Sequence, residues 1–321
     1  MLTINGDEIM KAAQIKNYGD VKAIEINQDA EKPSLQSTQV LVEVYAASLN
    51  RIDSTIINGY VQEMVPLSFP FTVGGDFSGV ISDLGEELTE FRVGDEVYGN
   101  AGALLGGSGS IAEFVASDSA KMSFKPKTVD FTQSASLPLV GASAVQSIEE
   151  EIKVKEGQKI LIQGGAGGIG SIAIQIAKMH GAYVATTVGT DSVDFAKNLG
   201  ADEVIDYKVQ DVTDVLRDYD AVFDTAGGDR VNELFKIIKE GGTLVSMVAG
   251  IDQDLANKQG VTAISQMTAV STEQLQKLAG YVDSGKVKAQ IEKAFPFLQV
   301  KEAFTYFETQ HPKGKVVLEI K

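Results

Sequence analysis

Three glycines at the spacing Gly165-x-Gly167-x-x-Gly170 carry the clearest chemistry in this chain. They follow the apolar run Ile160-Leu161-Ile162 and precede residues 171–178, whose apolar side chains fall on one helical face. Glycine here permits a tight turn, close approach of backbone to a pyrophosphate, and close packing of helix on strand. The N–H groups and partial positive charge of a helix N-terminus would then face the phosphates, lined by Gly165, Ala166, Gly167, Gly168, Ile169 and Gly170. A glycine-rich turn also closes ordinary strand–helix junctions, so its meaning depends on the elements around it.

Those elements form an alternating series. Residues 182–188 are a second apolar, β-branched run, and residues 191–199 read as a helix closed by Gly200. Strand-like segments follow at 203–206, 221–224 and 243–248, separated by polar stretches of helical length. Continuous apolar strands in a βαβαβ series predict a doubly wound parallel sheet covered on both faces, and with it dinucleotide binding. The chain on either side is β-rich. Strands are predicted at 10–15, 40–46, 79–85, 94–99 and 112–116, with a flexible glycine-rich loop at 102–109. A helix is expected over 132–151, an amphipathic segment over 300–309 and a last strand over 315–320. The predicted organisation is therefore a β-rich part over 1–131, the α/β domain over 132–284, and a return to the first part over 285–321. There is no internal repeat and no low-complexity segment.

Composition narrows the function classes. A length of 321 residues suits about two domains. A net charge of −16 argues against nucleic acid and against an anionic membrane surface. The chain has no cysteine, hence no disulfide and no thiolate zinc site. No apolar run is long enough to span a bilayer and the N-terminus shows no signal pattern, so a cytoplasmic location is expected.

Several blocks, in order and spacing, resemble the medium-chain dehydrogenase/reductase superfamily. They are Ala47-Ser48-Leu49-Asn50-Arg51-Ile52-Asp53, Gly74-Gly75-Asp76-Phe77-Ser78-Gly79-Val80, Gly94-Asp95-Glu96-Val97-Tyr98-Gly99, Gly109-Ser110-Ile111-Ala112-Glu113-Phe114, Leu137-Pro138-Leu139-Val140-Gly141-Ala142-Ser143-Ala144 and Gly314-Lys315-Val316-Val317-Leu318. The chain is most similar to the zinc-independent quinone oxidoreductase and enone/alkenal reductase branch. The resemblance implies a GroES-like β module split in sequence, a Rossmann module, and an active site between them. Zinc-dependent relatives place a cysteine at the start of the Asn50–Asp53 block and His-Glu in the Gly-x-Asp block, where Asn50, Gly75 and Asp76 stand here. The two histidines, His180 and His311, read as surface or packing residues, and no set of three zinc ligands is visible.

Coenzyme choice is read at the end of the second strand, where NAD enzymes usually carry an acid. Here the run is Thr186-Thr187-Val188-Gly189-Thr190. Tyr207 matches a tyrosine that in relatives packs by the adenosine 2′-phosphate, so NADPH is expected. Relatives often carry a lysine shortly after this strand. Asp191-Ser192 stands here instead, which leaves Arg51 or Lys208 to supply the charge. The nicotinamide is expected against Thr225-Ala226-Gly227 and Val248-Ala249-Gly250. Without a Lewis acid, a quinone or an α,β-unsaturated carbonyl suits hydride transfer, because its own conjugation activates it. Asn50, Ser143 and Tyr60 are the candidate catalytic polar groups. Two other readings stand beside this one: a zinc-independent alcohol dehydrogenase, and a cofactor-binding sensor or structural protein with little turnover. A homodimer is expected through residues 260–264, read as an edge strand.

Overall fold

The computed structural model describes residues 3–4, 7–228, 230–248 and 250–321. By contacts the chain divides into two compact units. One takes in the chain up to Leu139 with Val270–Asp283 and Ala289–Lys321, and the other Val140–Ala269 with Ser284–Lys288.

In the second unit the described strands form a six-stranded parallel sheet. Their order is Glu203–Asp206, Tyr183–Val188, Lys159–Gln163, Tyr219–Asp224, Ile238–Ser246 and Thr262–Ser265. The first strand in sequence is thus central, which is the doubly wound Rossmann order. Ile160 pairs with Val184 on one side and with Ala221 on the other. Leu161, Val222 and Leu244 are enclosed in one cluster with Phe235, so these strands read as continuous apolar runs. The strand order reverses at Lys159–Gln163, whose C-terminal end opens into the glycine-rich turn. Thr262–Ser265 is an edge strand, paired through Thr243↔Thr262.

Two polar stretches expected as full helices are shorter. After Asp206 only Val212–Val215 is helical, and after Asp224 there is a 3₁₀-helix, Val231–Lys236. Val212 and Leu216 are buried anchors that turn the first of these connections back into the core after one turn.

In the first unit, a seven-stranded sheet runs in the order Ile291–Pro296, Lys315–Glu319, Gln39–Ser48, Asp76–Leu84, Glu96–Asn100 and Met122–Phe124, with Phe114–Asp118 also paired to Gln39–Ser48. Its core packs Leu49, Ile57 and Val316 against Phe304 and Phe307 of the amphipathic helix Val300–Gln310. The expected helix over 132–151 is broken. Phe131–Ala135 stops before Pro138, which lacks an N–H and disfavours helix at Leu137, and Pro138–Val145 begins afresh. By contacts the first unit's leading segment ends at Leu139 and the second unit begins at Val140, inside the helix Pro138–Val145. The helix Thr272–Asp283, expected in the cofactor domain, belongs to the first unit: Tyr98 Oη donates to Leu275 O at 2.6 Å, Thr272 Oγ1 to Ser119 O at 3.1 Å, and Thr128 Oγ1 to Asp283 Oδ1 at 3.0 Å. The glycine-rich stretch at 102–109 is a hydrogen-bonded turn rather than a loose loop, closed by Gly107 N to Gly102 O at 3.1 Å and Gly109 N to Ala101 O at 3.0 Å.

Candidate active site

Cross-strand register lines polar side chains up at one end of the first unit's sheet. Ser48 pairs with Asp76, and Asp76 with Asn100. Residues directly opposite one another stand close enough for their side chains to interact. Ser48 Oγ donates to Asp76 Oδ2 at 3.3 Å and Asn100 Nδ2 to Asp76 Oδ1 at 2.7 Å. Leu139 N is a second donor to Oδ1, at 3.0 Å.

The strand Gln39–Ser48 leads into the helix Arg51–Ile57 through Asn50, its N-cap. Asp53 reaches back to accept the Asn50 backbone N–H at 2.7 Å, which is half of a capping box. The Asn50 side chain also lies in the polar row. Its Nδ2 donates to Asp76 Oδ2 at 2.9 Å, and its Oδ1 accepts from Lys315 Nζ at 2.5 Å. An ammonium on one side and a carboxylate on the other leave only one consistent orientation for the amide. Lys315 also donates to Leu49 O at 2.7 Å and to Asp76 Oδ2 at 3.4 Å, and it is only 3% exposed.

Burial sets the ionisation of this cluster. Desolvation pushes the Asp53 carboxyl up to about 7, against the pull of the Asn50 N–H, and the Asp76 charge adds to the rise. Desolvation also draws Lys315 below the ordinary lysine range, and the carboxylates of Asp76 and Asp53 offset part of that fall.

Sequence reasoning found Asn50 but missed Asp76, Asn100, Asp53 and Lys315 as its partners. Two signals were available: the Asn50-x-x-Asp53 spacing of a capping box, and a lysine opening the apolar run Val316-Val317-Leu318.

As a zinc site this donor set does not fit. Position 50 offers an amide already bonded at both ends. Position 75 has no side chain, and a Cβ there would stand 2.9 Å from Asn100 Nδ2. Asp76 is taken up by five donors. Among the described residues no group of three His, Cys, Asp or Glu could hold a metal ion.

The glycine-rich turn of the second unit fits a dinucleotide. A Cβ on Gly165 would come within 2.0 Å of Thr186 Oγ1 and 2.9 Å of Ile174 Cδ1, and one on Gly170 within 2.3 Å of Gly164 O. These two glycines let the helix close onto the strand. A Cβ on Gly167 meets only Gly164 O, at 3.4 Å, so its other side is open for a ligand. Gly167 is the N-cap of the helix Gly168–Met179 and gives its first turn no side-chain cap. Ala166, Gly168 and Ile169 lie half-buried on the same turn. The left-handed residue of the turn is Gly164, with φ of 76°, one place before the motif.

At the second strand's end the roles differ from expectation. Thr187 turns inward, 3% exposed, and its Oγ1 accepts the Gly164 N–H at 3.2 Å, so it braces the turn. The open position is Gly189, where a Cβ would lie 3.4 Å from Tyr207 Oη and 3.7 Å from Lys208 Nζ. Arg51 belongs to the first unit and lies over the Phe307 ring, 4.9 Å from its centroid. On the fourth-strand side, Asp224 Oδ1 accepts the N–H groups of Ala226 at 3.1 Å and Gly227 at 3.0 Å, and Ser246 Oγ donates to Asp224 Oδ2 at 2.9 Å. Val248 N donates to Ser246 Oγ at 3.1 Å, so one buried carboxylate shapes both strand ends. A Cβ on Gly227 would stand 2.3 Å from Val248 Cγ2. Gly250 is exposed, and Ala249 lies outside the described residues.

The remaining candidates lie in different units. Ser143 is fully buried in the second unit, its Oγ 2.7 Å from Thr268 Oγ1. Tyr60 lies in the first unit, 81% exposed, three residues beyond the helix Arg51–Ile57.

Comparison with known proteins agrees with this architecture. Residues 36–127 match the alcohol dehydrogenase GroES-like domain, and residues 199–318 match the family described as zinc-binding dehydrogenase. The chain is 35% identical over 320 residues to the chloroplastic NADPH-dependent alkenal/one oxidoreductase of Arabidopsis thaliana, covering 96% of this chain and 79% of the relative. It is 34% identical over 318 residues to the 2-methylene-furan-3-one reductase of Solanum lycopersicum, with the same two coverages of 96% and 79%. The solved quinone oxidoreductase of Coxiella burnetii superposes with a TM-score of 0.90 at 32% identity, over 98% of this chain and 100% of that one. No helix among the described residues is long and apolar enough to cross a membrane.

Proposed function

The chain belongs to the quinone oxidoreductase and enone reductase branch of the medium-chain dehydrogenase/reductase superfamily, and on that footing we propose that it uses NADPH to reduce a quinone or an α,β-unsaturated carbonyl without zinc. The observation that carries the reading is the Asn50 amide held between Asp76 and Lys315. This is a donor site for an oxygen and not a ligand set for a metal. An acceptor that meets no Lewis acid must be activated by its own conjugation, as quinones and enones are.

Gly165, Gly167 and Gly170 with the helix N-terminus would hold the pyrophosphate. The Tyr207 hydroxyl and the Lys208 ammonium, both beside Gly189, would hold the 2′-phosphate. Of the two cations considered from sequence, Lys208 is favoured, because Arg51 is engaged with Phe307. Bound there, NADPH would supply a hydride for the β-carbon of an enone or for a quinone oxygen or carbon. Asn50 steadies the oxygen that gains charge, and the proton that completes the reduction comes from water or from the Tyr60 hydroxyl. Ser143, buried against Thr268, supports the site by packing.

The test is NADPH oxidation by the purified protein against a panel of quinones and enones, with a chelator present and simple alcohols alongside. Turnover of the panel, undiminished by the chelator, is expected. Lys208→Ala should raise the NADPH KM by about tenfold, the effect of losing one charge-assisted bond, and leave the NADH KM unchanged. Turnover of alcohols alone would mean an alcohol dehydrogenase. Tight NADPH binding without turnover would mean a sensor.

A further inference from the structure

Lys315 opens a strand whose next three residues are fully buried Val316, Val317 and Leu318. A buried ammonium is expensive to desolvate, and an apolar side chain of the same length would fill the space at lower cost. Its surroundings are those of a charged group: three acceptors (Leu49 O, Asn50 Oδ1 and Asp76 Oδ2) for three N–H bonds. Two of the three belong to the residues that stand where zinc-dependent relatives carry ligands.

The effect on Asn50 follows from amide chemistry. A cation on Oδ1 draws electron density from the nitrogen, which strengthens each N–H as a donor. One Nδ2 hydrogen goes to Asp76, and the other has no partner among the hydrogen bonds of the described residues. Asn50 keeps 5% of its surface exposed.

We infer that Lys315 is the positioning residue of this site, a fixed ammonium in place of a metal that orients and polarises the Asn50 amide so that one N–H is kept for the oxygen of the acceptor. The inference rests on the proposed reaction in taking that oxygen to be a quinone or enone oxygen. Lys315 acts through Asn50, so its effect must vanish when Asn50 is absent. Neutralising Asp76 is a separate, structural service.

Four variants distinguish these: Lys315→Met, the charge-balanced Lys315→Met/Asp76→Asn, Asn50→Ala, and Asn50→Ala/Lys315→Met. Enone reduction is measured at saturating NADPH, NADPH affinity by fluorescence titration, and the Asn50 side-chain amide by NMR of cofactor-free protein labelled with ¹⁵N-asparagine. Lys315→Met should lower kcat by about tenfold or more, the loss typical of a positioned donor, with NADPH affinity unchanged. The charge-balanced variant should be equally slow, and it keeps the test available if the single variant does not fold. In the Asn50→Ala background the same change should lower kcat by less than about twofold. The two Asn50 amide proton signals should shift when Lys315 is replaced. Full activity of the charge-balanced variant would overturn the inference, as would an equal loss in both backgrounds or an amide spectrum indifferent to Lys315. A wild-type protein that reduces no quinone or enone would overturn the proposed reaction alone, and the amide spectrum would still decide whether Lys315 governs Asn50.

Discussion

Replacing Asp53 by asparagine should make the protein more stable at alkaline pH, and the amount follows from the site. Asp53 is 4% exposed, and burial raises its carboxyl from the ordinary 3.8 to about 7. That is roughly a thousandfold in proton affinity, or about 4 kcal/mol. The folded protein therefore holds this proton more tightly than the unfolded chain. The associated stability is fully present below the unfolded value of 3.8, is lost as pH rises through about 7, and is gone above it. Of the total, roughly 2–3 kcal/mol falls between pH 5 and pH 8. Asparagine does not titrate, and its Oδ1 can still accept the Asn50 N–H that Asp53 accepts at 2.7 Å. The loss of a carboxylate from the helix first turn offsets about 0.3–1 kcal/mol of the gain. The assay is the thermal midpoint of wild type and Asp53→Asn at pH 5 and pH 8. Groups that titrate elsewhere are common to both proteins and cancel in the difference. The gap should widen in favour of the variant by on the order of 5 °C from pH 5 to pH 8. Midpoints that move in parallel across this range would show that Asp53 is not a buried acid held near neutrality.

Four further outcomes follow. Gly165→Ala should destabilise the second unit by about 1–3 kcal/mol, because its methyl would collide with Thr186 Oγ1. Gly167→Ala, with only Gly164 O nearby, should fold normally yet bind NADPH weakly, which thermal melts and a cofactor titration would separate. Gly189→Asp places a carboxylate beside Lys208 and Tyr207, so kcat/KM should fall about tenfold or more for NADPH and hold for NADH; equal losses for both would count against this strand end as the 2′-phosphate site. The edge strand Thr262–Ser265 motivates a homodimer, which light scattering should find at micromolar concentration, with monomer alone as the contrary result.

Much of this protein is local in origin and therefore legible along the chain. The cofactor turn needs glycine where Cβ atoms would collide, as at Gly165 and Gly170, and no neighbouring residue type can substitute for that. The central parallel strands are buried on both faces, so their apolar runs announce them. The absence of cysteine and the residues at 50, 75 and 76 foretell a site without thiolate ligands. Helix lengths in the α/β unit were less legible, because buried anchors such as Val212 and Leu216, rather than propensity, decide where each connection turns. Tertiary structure alone decided the partners. Register across three strands brings Ser48, Asp76 and Asn100 into a row. A strand from the far end of the chain carries Lys315 to Asn50, 265 residues away in sequence. The same is true of the inward turn of Thr187 and the outward place of Gly189, since strand pleating says which residues alternate but not which face meets the turn. Spacing within a segment is set by bond geometry and can be read directly. Electrostatic pairing between distant segments depends on burial and register, which exist only once the chain has folded.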